Sequence, residues 1–95
     1  MTTPTHWLVD IEIMPEDVNR MTYALARLRD GREGHASAIE ASGHARRNPA
    51  DFPRPELGAE LAATRAVTAL ARKMQAHAAE DLSVLATPPA HSSGW

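Results

Sequence analysis

"RRNPADFPRPELG", Arg46 to Gly58, is the stretch on which the fold turns. Pro49, Pro53 and Pro55 prevent any strand or helix from running through it. The residues before it alternate in character and those after it repeat at helical spacing, so it separates a β part from an α part. Pro55 suits the first turn of a helix, where its missing N–H costs nothing, and Glu56 then starts the helix. Arg46 and Arg47 either close the last strand or form a basic patch for phosphate. The architectural role predicts that Arg46 pairs with Glu40, Asp10 or Glu12 across the sheet, and that Arg47 points to the helix start and pairs with Asp51 or Glu56.

Working back towards the N-terminus, Trp7, Val9, Ile11 and Ile13 alternate with Leu8, Asp10 and Glu12, the pattern of a half-buried strand. Met14 to Asn19, "MPEDVN", supplies a turn. A second strand is expected over about Arg20 to Arg29, with Thr22, Ala24, Ala26 and Leu28 inside and Tyr23, Leu25, Arg27 and Arg29 outside. "DGREGHAS", Asp30 to Ser37, reads as a mobile hairpin tip. Its "GREG" matches the GXXG pattern of KH domains by chance only, because that loop must join two helices. A third strand over roughly Ala38 to Arg46 puts Ile39, Ala41, Gly43 and Ala45 inside, a row small enough for a helix to approach closely.

Working forward, Glu56 to about Ala86 lacks proline and has Gly58 as its sole glycine. Val67, Leu70, Met74, Ala78, Leu82 and Leu85 recur at spacings of three and four, with Leu57 and Leu61 at the edge of that stripe. Such a helix is roughly 45 Å long, whereas strands of seven to nine residues span roughly 25 to 30 Å. The helix therefore overhangs the sheet, and it either breaks near His77 to Asp81 or packs its free end on another subunit. Residues 87–95, "TPPAHSSGW", read as a disordered tail beyond a single α+β domain at 1–86. The expected fold is a three-stranded antiparallel meander followed by one long helix on one face, β-β-β-α.

A 95-residue chain with few aromatic residues builds a thin core. The formal charge is −2 and Lys73 is the sole lysine, a balance that argues against a protein living on phosphate contacts. No cysteine is present, which removes thiolate chemistry and cysteine-ligated zinc. No signal-peptide pattern or apolar span occurs, so a cytoplasmic, membrane-free protein is expected.

Two sets of candidate residues emerge. Leu8, Tyr23 and Leu25 are apolar residues on an otherwise charged sheet face, and with His44 and the helix-end residues Leu82 and Leu85 they form the expected dimer or partner interface. Arg27, Arg29, Arg46, Arg65, Arg72 and Lys73 are the candidate RNA or phosphate contacts, with a solvated helix face as the plainer reading of Arg65, Arg72 and Lys73. The histidines show no zinc spacing, and His77 with Asp81 supplies two ligand types at most, so no metal or cofactor is expected. Asp10 and Glu12 lie about 7 Å apart on one strand face with nothing to enclose them, and no catalytic group is expected.

"HWLVDIEI", "ALARLR", "GHARRNPAD" and "RPELGAELAATRAVTALARKM" resemble a family of short actinobacterial proteins known as a domain of unknown function. The likeness covers about Trp7 to Leu85, and its most specific parts are Asn48-Pro49-Ala50-Asp51 and Pro55-Glu56-Leu57-Gly58. The resemblance implies a fold like that of double-stranded-RNA-binding domains, a homodimer, and a comparison with ribosome hibernation factors linked to dormancy and stress. It implies no catalytic residues. The functional expectation is a homodimeric adaptor or structural protein with a protein partner, with a ribosome- or RNA-associated factor as the alternative.

Overall fold

The computed structural model describes residues 2–30 and 39–86. Strands β1 (Leu8–Met14), β2 (Met21–Arg29) and β3 (Glu40–Arg46) precede a helix α1 (Pro55–Ala86). The sheet has the order β1-β2-β3, and both pairings are antiparallel. This is the expected meander followed by one long helix. The expected hairpin tip with its "GREG" motif and the expected disordered tail lie outside the described residues.

The β1–β2 turn is built by Asp17, whose carboxylate accepts from the N–H groups of Asn19 at 2.8 Å and Met21 at 3.0 Å. Closing the turn puts Arg20 at φ 62°, the left-handed region that usually takes glycine. After β3, the Asn48 side chain accepts from the Ala50 N–H, and the Asn48 carbonyl accepts from Asp51, so the proline-rich link is itself a hydrogen-bonded turn. The Arg54 carbonyl then accepts from Leu57 and Gly58, and the helix begins at Pro55.

The core consists of Ala24, Ala26, Ala41, Ala45, Ala62, Ala66 and Leu70, with Leu28, Ile39, Ala63, Ala69 and Met74 packed around it. Contact between helix and sheet is backbone to backbone at Gly43. A β-carbon there would lie 2.7 Å from the Ala62 carbonyl oxygen and would collide with the Ala66 nitrogen. This approach corrects the expected helix stripe, since Ala62, Ala66 and Leu70 face the sheet while Val67 stays exposed. The small row of Ala41, Gly43 and Ala45 admits alanines at short range, and a larger side chain at those helix positions would hold the two apart.

The helix lies over β3 and β2 and barely reaches β1. Every residue of β1 is consequently exposed, although its inward phase is as expected. All side chains from Gln75 to Leu85 are exposed too. The helix is unbroken through His77 to Asp81, so the break offered as one of the two sequence alternatives is absent.

Candidate functional site

The outer sheet face places Tyr23 between Met14 on β1 and His44 on β3. The Tyr23 and His44 rings lie 6.2 Å apart at 45°. Leu25 follows, half-buried, between Glu12 and Ser42. The structure thus brings together Tyr23, Leu25 and His44, and it adds Met14, which the sequence pattern had assigned to the turn. Leu8 stands at the other end of β1 opposite Arg29, with Asp10 and Arg27 in between. Leu82 and Leu85 are exposed on the distal part of the helix, away from this cluster.

The candidate phosphate contacts are mostly engaged. Arg27 pairs with Glu40 at 3.0 Å and Arg29 with Asp10 at 3.5 Å, both on the exposed face, where such pairs add little stability. Arg65 donates to the His44 carbonyl and Lys73 to the Glu40 carbonyl, each at 2.8 Å. They are therefore not a free solvated stripe: both fold back across the free edge of β3. Arg46 and Arg72 have no polar partner among the described residues, so Arg46 does not make the expected pair with Glu40, Asp10 or Glu12.

Arg47 does turn to the helix start, but its carboxylate partner is Glu16 at 3.0 Å, and it meets Asp51 through the backbone carbonyl at 2.9 Å. The hydrogen bonds that Arg47 donates to the Glu16 carboxylate raise the guanidinium pKa above its ordinary value, with desolvation opposing and the charges of Glu16 and Asp51 adding to the rise. A raised pKa means a contribution present below that value and lost only above it. Arg47 thus adds no pH dependence in any ordinary buffer.

Glu16 and Arg47 also wall an open cavity of about 440 Å³ beside the helix start, lined further by Thr22, Phe52, Arg54, Leu57 and Leu61. Its size suits a small ligand. The lining supplies a hydroxyl at Thr22 but neither imidazole nor thiol, so it assembles no nucleophile with a base. Among the described residues no group of His, Asp and Glu is placed to hold a metal, and His77 meets Asp81 only at 3.9 Å. No described helix is long and apolar enough to cross a membrane.

A family profile described as Rv2632c-like matches residues 5–91. The chain belongs to that family. An "uncharacterized protein" of Mycobacterium bovis, Mb1767, is 39% identical over 85 residues, covering 90% of this chain and 84% of that protein. MT1780 of Mycobacterium tuberculosis matches with the same figures. The crystal structure of Rv2632c superposes with a TM-score of 0.75 at 31% identity, covering 93% of this chain and 98% of the other. The actinobacterial family anticipated from the sequence motifs is thereby established for this Rv2632c-like chain, together with its three strands and long helix.

Proposed function

We propose that this Rv2632c-like protein is a non-enzymatic binding protein, a homodimeric adaptor or structural protein for a protein partner in the cytoplasm. A link to stress or dormancy rests on the resemblance to the actinobacterial family. One observation supports the reading above the others: among the described residues Leu70 is the one large side chain fully buried, while Tyr23, Leu57, Leu61, Leu82 and Leu85 remain exposed. Burying a large apolar side chain contributes about 1.5–3 kcal/mol, and the single chain forgoes that gain at site after site. A second copy recovers it by covering Met14, Tyr23, Leu25 and His44 on the sheet and Leu82 and Leu85 on the overhanging helix.

Light scattering on a sizing column tests this. The wild type is expected to elute as a dimer, and Tyr23→Glu or Leu25→Glu to weaken that dimer at least tenfold. A dimer indifferent to both changes would count against this interface.

The alternative is a ribosome- or RNA-associated factor, as a likeness to double-stranded-RNA-binding domains and hibernation factors would suggest. The partner-free Arg46 and Arg72 favour it. It is the weaker reading, because phosphate binding through Arg27, Arg29, Arg65 and Lys73 requires breaking their present contacts. It predicts salt-sensitive co-sedimentation with ribosomes that is lost in Arg27→Glu plus Arg46→Glu. Equal binding by that double variant would remove its basis.

A further inference from the structure

We propose that the free edge of β1 accepts an extended segment of a partner protein as a fourth strand, and that this segment alternates apolar with basic residues. The proposal rests on the adaptor reading and names the partner's chemistry, at the sheet edge that adjoins the Tyr23 cluster.

The backbone makes the edge available. Leu28 donates to the Ile39 carbonyl at 2.9 Å, and Arg47 donates to the Arg20 carbonyl at 2.9 Å. Even-numbered residues of β2 therefore turn their polar groups to β3, and odd-numbered ones turn theirs to β1. The β1 residues opposite those odd positions, Leu8, Asp10, Glu12 and Met14, are thus the hydrogen-bonded ones. Val9, Ile11 and Ile13 are left with N–H and C=O pointing away from the sheet. No proline interrupts β1, and its seven residues form a template about 24 Å long.

The two sheet edges are treated differently. On β3 the outward carbonyls of Glu40 and His44 are taken by Lys73 and Arg65 from the helix. Such cover keeps an edge from recruiting another strand. Among the described residues nothing equivalent caps β1. Its inward side chains are also uncovered, with Val9 46%, Ile11 38% and Ile13 42% exposed, because the helix lies over the other two strands. An added strand would set its own apolar residues beside these three.

Charge selects the occupant. Asp10 and Glu12 share the outer face of β1. Asp10 has one long contact, 3.5 Å to Arg29, and Glu12 has no partner among the described residues. Pairing with a second β1 is disfavoured, since every antiparallel register that joins five or more of its residues sets one of these acids opposite itself or the other. Like charges directly opposite destabilise a sheet, whereas opposite charges stabilise it. A segment with lysine or arginine facing Asp10 and Glu12, and apolar residues facing Val9, Ile11 and Ile13, satisfies both faces at once.

The test titrates the full chain with two synthetic peptides, one alternating valine with lysine and one alternating valine with glutamate, at low and high salt. Amide exchange is followed by NMR. The basic peptide is expected to bind at least tenfold more tightly, to slow exchange at Val9, Ile11 and Ile13, and to weaken with salt. Asp10→Lys plus Glu12→Lys is expected to reverse the preference, and Asp10→Asn plus Glu12→Gln to abolish it without added charge. Basic-peptide binding that leaves those three amides exchanging freely, or that survives the charge reversal unchanged, overturns the proposal. So does protection of the three amides in the peptide-free protein, which would assign the edge to a second copy. A monomer that passes this test would defeat the dimer reading alone, and a Tyr23-dependent dimer that fails it would defeat this proposal alone.

Discussion

At Gly43 the absence of a single atom sets how closely helix and sheet meet, because a β-carbon would strike the backbone of α1 at Ala62, Arg65 and Ala66. Backbone cannot swing aside as a flexible side chain can. Gly43→Ala should therefore lower stability by about 3 kcal/mol, read as a shift of the urea midpoint with little change in slope. Arg20 is the opposite case, a side chain held where glycine would be relaxed, with its Nε buried and unbonded. Arg20→Gly should raise stability by about 0.5–1 kcal/mol in the same assay. The small inner row that includes Gly43 was visible in the sequence, since period-two alternation separates inner from outer residues. The strain at Arg20 was not, because "EDVN" marks a turn without saying which residue takes the left-handed position.

Among the elements, the lateral position of α1 controls which surfaces are finished. Seated on Gly43, it covers β3 and β2, reaches round the β3 edge with Arg65 and Lys73, and leaves β1 open. Replacing both cations with alanine should speed amide exchange at the outward-facing residues of β3 while the melting midpoint moves little, since neither side chain belongs to the core. Unchanged exchange would mean that these contacts do not protect the edge. Helical spacing revealed the helix and its length, but large side chains misled as to its inner face. Val67 looks like a core residue by size and Ala66 does not, yet the small sheet surface below selects the alanine. The roles of Arg65 and Lys73 depend on that same seating, and for that reason spacing along the helix could not reveal them.

The distal part of the helix carries a further expectation. Glu80 lies on the exposed stretch that follows Met74, away from the packed core. Proline in a helix interior costs about 3 kcal/mol or more, so Glu80→Pro should disrupt the overhang locally. If a second copy packs there, the dimer should weaken at least tenfold on a sizing column while the sheet keeps its melting behaviour. A dimer of unchanged affinity would separate the overhang from the interface.

For the whole molecule, most large apolar side chains of the described residues remain exposed. The 32-residue helix, about 48 Å long, extends beyond strands of seven and nine residues, and an alanine-rich core encloses little volume. The fold class was legible because each element announces its own period. The proposed interface was legible only in part: Tyr23, Leu25 and His44 do converge, whereas Leu8 is separated from them and Met14 joins them through a register that no local pattern discloses. The central claim is that this apolar surface is completed by a second copy of the chain. Sedimentation equilibrium over a wide concentration series tests it most directly. The account predicts a reversible dimer that Tyr23→Glu converts towards monomer, and a wild-type protein that stays monomeric at every concentration would contradict it.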